Sequence, residues 1–198
     1  MILIVLAGLC LLTVPLTGGR LGRLTDLRLR AIWISPLALA LQLTVTTVAP
    51  GGNRSLHVAI HIATYGLIGI FLWVNRHISG VAVIATGALL NGWEIVINGG
   101  VMPASATAQR IAGLRLGPGF NNSAQLAHPH LLWLGDVIPV PGPLPNVLSA
   151  ADLIIFAGML VLLHRACGKT ATVAQSDPIP PATESARVHP QRVPGVQI

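Results

Sequence analysis

The sequence predicts an all-α integral membrane bundle of five transmembrane helices carrying a long, partly ordered outer loop. Three observations lead there. Of 198 residues, 53% are hydrophobic and 9% are charged, whereas a soluble domain carries roughly 25% charged residues. Five apolar runs approach the roughly 20 residues that a helical crossing of the bilayer needs. The 12 Lys and Arg residues fall mostly between those runs. A soluble globular domain is thereby excluded, as is disorder over most of the length.

The spans are expected at about 2–17, 31–49, 56–74, 81–97 and 147–163. In lipid each must be helical, because unpaired backbone groups there cost several kcal/mol. The first run starts at Met1 with no basic residues ahead of it and no small-residue cleavage site before Arg20, so it is expected to remain as a helix rather than a cleaved signal. If the spans alternate, Arg20, Arg23, Arg28, Arg30, Arg76, Arg165 and Lys169 lie on one side, against Arg54, Arg110 and Arg115 on the other. The positive-inside rule then puts the N-terminus outside and the C-terminus in the cytoplasm. Trp33 and Trp73 fall at the inner interface, and Trp93 and Trp133 at the outer one, as aromatic belts would.

The connection 98–146 is too long for a simple link, and loops of this size are usually functional or disordered. It contains a short amphipathic helix from Ser105 to Leu114, with Ile111 and Leu114 on one side, and then a turn-rich stretch from Leu116. The apolar piece from Leu131 to Val140 is too short and too broken by proline to cross, so it lies along the interface or dips into the bundle. Ser149 followed by Asp152 resembles a capping box opening the last helix. Residues 1–165 form the membrane domain, and 166–198, polar and rich in proline, read as a disordered cytoplasmic tail.

Polar residues in spans tend to face the bundle interior or a water-filled cavity. In the fourth run Gly87, Asn91, Glu94 and Asn98 share one helical face; His57, His61 and Thr64 do so in the third, and Gln42 and Thr46 in the second. With Asp136 and Asp152, nearly all lie toward the outer side. The candidate polar pocket is therefore Gln42, His61, Asn91, Glu94, Asn98, Asp136 and Asp152. The plain alternative is that these side chains only glue helices together.

His57 and His61 stand one turn apart, a spacing able to clasp a metal, and His128 and His130 could add to it. A hydrolytic zinc helix also needs Glu directly after the first His, where this chain has Val58. No nucleophile elbow, phosphate loop or dinucleotide fingerprint occurs, so the reading leans away from an enzyme, and no cofactor is expected. Cys10 and Cys167 form no redox or metal pair motif. The basic first connection lacks interleaved aromatics, so its natural contact is anionic lipid rather than nucleic acid.

The motifs Gly18 to Arg30, Gln42, Asn75-Arg76, Leu90-Asn91 running to Met102-Pro103, Leu134-Gly-Asp-Val-Ile-Pro139 and Asn146 to Asp152 resemble those of a bacterial membrane family known as domain of unknown function 5317. The resemblance spans about residues 1–165 in order. The family pattern has Gly before the last Asp; here Ala151 stands there. The resemblance implies a small multi-span bacterial protein and no particular activity. Three function classes stay open: a membrane-embedded binding or accessory protein whose outer pocket and loop engage a lipid, another membrane protein or a small solute, a transporter or channel component, and a lipid-modifying enzyme. Polarity confined to one side favours the first, because a transport path needs polar access at both faces.

Overall fold

The computed structural model describes residues 2–44, 53–114 and 123–168. The chain is mostly helical. The long helices are α1 (Ile2–Leu16), α2 (Ile34–Leu43), α3 (Arg54–Val74), α4 (Val81–Ile97) and α6 (Ala150–Cys167), with a shorter α5 (Ala106–Ala112) in the connection between α4 and α6 and a 3-10 turn at Leu21–Asp26. Four short strands also occur: β1 (Met102–Pro103) pairs in parallel with β2 (Ser123–Ala124), and β3 (Ile138–Val140) pairs antiparallel with β4 (Asn146–Leu148). The sequence reading had no strands here. Pro141, Gly142 and Pro143 make the turn between β3 and β4, and Gly142 takes a φ of 127° there.

Contacts between helices give the direction of each. Gln42 meets His61 and Thr64, while Arg30 meets Asn75, so α2 and α3 are antiparallel. Gly92 lies against Tyr65 and Gly100 against Val58, making α3 and α4 antiparallel. On α4, Gly80 faces Gly158 and Leu162 while Gly87 faces Ala151 and Ile155, so α4 and α6 are antiparallel too. Thr13 and Thr17 bond His164, and Arg20 bonds Cys167, so α1 and α6 run parallel. The five long helices therefore alternate in direction along the chain. One end collects Arg20, Arg23, Arg28, Arg30, Arg76 and Arg165; we call it the arginine end and the opposite one the polar end.

Lengths differ from the expected spans. Among the described residues two helices, Ser55–Val74 and Ala150–Cys167, are long and apolar enough to cross a membrane. The other three are shorter, with 15 residues in α1, 10 in α2 and 17 in α4. Glycines set two of these limits: Gly18 after α1 has φ 77°, and α4 is bounded by Gly80 at 88° and by Gly99 and Gly100 at 72° and 90°. The expected second span continues past residue 44, outside the described residues. The last helix opens at Ala150 rather than at Val147, because Val147 and Leu148 belong to β4. Ser149 closes the capping box: its hydroxyl accepts from the Asp152 amide, and the Asp152 carboxylate accepts from the Ser149 amide. α6 runs on to Cys167, past the expected domain end at 165; the tail beyond 168 lies outside the described residues.

The exterior is apolar and much of the interior is not. Leu9, Leu12, Leu39, Ile70, Leu89 and Leu153 are all exposed, while His57, His61, Thr64, Asn75, Asn91 and Glu94 are buried. An apolar core does exist between α1 and α6, made by Cys10, Val14, Leu163 and Cys167.

Candidate functional site

The polar end is built from the face of α4 on which the sequence placed Gly87, Asn91, Glu94 and Asn98. Each residue on that face meets a different neighbour. Gly87 admits the Ala151 carbonyl: a Cβ there would meet that oxygen at 2.6 Å. One turn on, the Asn91 amide donates to the Asp152 carboxylate at 3.0 Å and accepts from the Ser149 hydroxyl at 3.0 Å. Asn91 thus ties the capping box of α6 to α4. At the end of the helix Asn98 clamps the connection between α4 and α6, donating to the His130 carbonyl at 3.0 Å and accepting from the His130 amide at 2.8 Å.

Glu94 lies between Asn91 and Asn98. It is 0% exposed, and neither carboxylate oxygen has a hydrogen-bond partner among the described residues. Gly135 leaves the space that its Oε1 approaches: a Cβ on Gly135 would stand 2.9 Å from that oxygen and 2.3 Å from the Pro103 carbonyl. The next residue, Asp136, is 7% exposed and close enough for its charge to act on Glu94. The Asp136 main chain is fixed by its amide donating to Pro103 and its carbonyl accepting from Ser105, and the Ser123 hydroxyl donates to its carboxylate. Burial pushes the Asp136 carboxyl up to about 6; the Ser123 hydrogen bond holds it back, and the Asp152 charge adds to the rise.

On the other side of α4, α3 carries His57, His61 and Thr64 inward, all buried. The His61 Nδ1 and the Gln42 Oε1 are 3.0 Å apart, and the Thr64 hydroxyl donates to the same oxygen at 3.1 Å. His61 also meets Tyr65 edge to face at 5.4 Å. Tyr65 packs on Gly92, and the charges of Asp152 and Asp136 reach it. It links the α3 group to the acidic side, and the sequence reading passed over it. Its place on the same helix as His61, one position beyond Thr64, was the available signal. Thr46 lies outside the described residues.

The described parts of the connection 98–146 pack against the helix ends. Ser105 caps α5 by accepting from the Ala108 amide. The buried face of α5 is Ala108, Gln109 and Ala112, packed with Val147 and Leu114, while Ile111 is exposed. Small residues win that position because only they allow the close approach of α5 to β4. The turn-rich stretch from Leu116 to Asn122 lies outside the described residues. His128 and His130 are exposed, and no group of three or more His, Cys, Asp or Glu side chains is arranged to hold a metal ion among the described residues.

At the opposite end, Asn75 is fully buried and makes a bridge that the sequence did not foretell. Its side chain accepts from the Arg30 amide and donates to the Arg30 and Phe71 carbonyls at 2.8–2.9 Å. It pins the first connection to the end of α3.

Comparison with known proteins places these residues in a lineage without assigning them work. The chain is 34% identical over 93 residues to an uncharacterized protein of Thermotoga maritima, a stretch covering 46% of this chain and 54% of that relative, so it spans about half the relative's length. No solved structure matches it. A family model described as a family of unknown function (DUF5317) matches residues 26–164, which include Asn75, Asn91, Glu94, Asn98, Gly135, Asp136 and Asp152. With well over half of its length matched by that model, the chain is a member of the DUF5317 family.

Proposed function

We propose that the chain is a five-span protein of the bacterial cell membrane, its N-terminus outside and its C-terminus cytoplasmic, whose outer end binds a partner or small solute through Glu94. The membrane reading is supported by the inverted distribution of polarity. Only 22% of each of the two long apolar stretches is buried, unlike the core helix of a soluble protein. Exposed Leu and Ile surround buried His, Asn and Glu, the reverse of what water selects. Exposed Trp33 and Trp73 at the arginine end and Trp93 and Trp133 at the polar end fit two interfacial belts. Of the shorter helices, α4 with its 17 residues rises about 25 Å at 1.5 Å per residue, against a hydrocarbon core of about 30 Å.

The observation that carries the binding role is Glu94. A buried carboxylate without donors is costly, and its neighbours Asn91, Asn98 and Asp152 are all bonded. The site is completed by something outside the described groups: a cationic or hydrogen-bond-donating ligand, or the acid's own proton. A conduction path is less well supported, because the buried polar side chains other than Asn75 gather toward one end among the described residues.

The test is extraction of wild-type and Glu94→Gln protein from native membranes into lipid discs, with mass spectrometry of what stays bound. The binding role predicts that a lipid, solute or protein retained by the wild type falls at least several-fold in the variant while the folded yield persists. Unchanged retention together with a higher melting temperature would leave Glu94 as a buried acid and end the binding role. Another membrane protein among the retained species would favour an accessory subunit.

A further inference from the structure

A groove of about 580 Å³ opens at the arginine end, away from Glu94, between the 3-10 turn and the last turn of α6; Arg23, Asp26, His164, Arg165 and Gly168 are among its lining residues. We propose that this groove is a binding site for a phosphate group, carried by a lipid headgroup or free in solution.

Three features point there. The first is an excess of positive charge: two guanidinium groups against the single carboxylate of Asp26. Arg23 spends one N–H on the Gly168 carbonyl and keeps the rest of a five-donor fork. Such forks suit tetrahedral phosphate oxygens, which can accept bidentate pairs.

The second is the setting of His164. Its Nε2 lies 2.9 Å from the Thr13 hydroxyl and its Nδ1 3.2 Å from the Thr17 hydroxyl. Thr13 already donates to the Cys10 carbonyl at 2.6 Å, and Thr17 to the Val14 carbonyl at 3.0 Å. The two contacts engage both ring nitrogens and hold the imidazole in place against α1, beside Arg165.

The third is that two carbonyls at the end of α6 are turned away from a ligand by donors of the first connection. The Arg20 amide donates to the Cys167 carbonyl at 2.9 Å, and Arg23 takes the Gly168 carbonyl, so those oxygens are already engaged. The groove is several times larger than one phosphate, leaving room for an attached glycerol or sugar. Leu16 and Leu21, 85% and 40% exposed, offer apolar surface at the same end of the molecule for an acyl chain.

The experiment follows thermal unfolding of the full chain in detergent at constant ionic strength. Phosphatidylglycerol, phosphatidylcholine and inorganic phosphate are added in separate titrations. At least one of phosphatidylglycerol and inorganic phosphate is expected to raise the midpoint by several degrees. Arg165→Gln, an exposed position, and Arg23→Gln should each remove at least half of that rise, while Arg110→Gln at the other end keeps it. A response to phosphatidylglycerol alone identifies a headgroup; a response to inorganic phosphate identifies the free ion. If Arg23→Gln does not fold, Arg165→Gln decides. No rise with either probe, or a rise that Arg165→Gln leaves intact, overturns the site. Equal rises with both lipids that survive in Arg165→Gln are a bulk lipid effect and overturn it too.

Discussion

Asp136 shows how the connection between α4 and α6 makes a residue sensitive to pH. Its carboxyl sits in the docked segment with the usual 3.8 pushed up to about 6, chiefly by burial. The folded chain therefore binds this proton more tightly than the unfolded chain. Its contribution to stability is fully present below about pH 4 and is lost as the pH rises to about 6. Asp136→Asn should remove that loss, so its melting temperature should change less than that of the wild type between pH 4.5 and 7.5. Equal changes in both proteins would assign the pH response to other groups. At this scale Asn91, Glu94 and Asn98 were legible, because a repeat of three and four on an apolar helix marks one face. What each meets was not legible: one ties the capping box of a neighbouring helix to α4, one clamps a loop backbone, and the carboxylate of one stands without a hydrogen-bond partner among the described residues.

Helix pairs in this chain approach through glycine. On Gly158 a Cβ would meet the Ile84 amide at 2.6 Å and the Gly80 carbonyl at 3.0 Å, both backbone atoms that cannot turn aside. Gly80 itself has φ 88° and faces Gly158 and Leu162. Gly158→Ala should therefore force α4 and α6 apart and cost about 1–3 kcal/mol. Gly66→Ala on α3, where nothing lies within 4 Å, should be neutral or gain up to about 1 kcal/mol of helix propensity. Comparing the two variants by thermal unfolding checks the packing directly; similar losses in both would deny it. The close contact near Asp152 is likewise made by Gly87, so Ala151 fits although the family resemblance led one to expect glycine at 151. Helix starts at Ser105 and Ser149 were readable from capping residues, whereas the strands were not, since two- and three-residue pairings leave no periodic pattern.

The whole molecule is polarised: six arginines gather at one end, and Glu94, Asp136 and Asp152 at the other. Alternating helix directions turn that into a topology prediction. Reporter fusions after Arg30 and after Lys169 should behave as cytoplasmic and one at Gly119 as external. An external signal from the Lys169 fusion would invalidate the five-span arrangement. By itself the sequence determined a mostly helical chain with its charges at the two ends of apolar runs, because hydropathy and charge are properties of consecutive residues. It also determined the polar faces, because helical periodicity follows from spacing alone. Only the tertiary structure decided that α1 runs parallel to α6, that Asn75 fastens the first connection, and that Gly135 brings the loop onto Glu94. Those are contacts between residues tens of positions apart, fixed by which backbones can approach closely, and no local pattern in the chain encodes that choice.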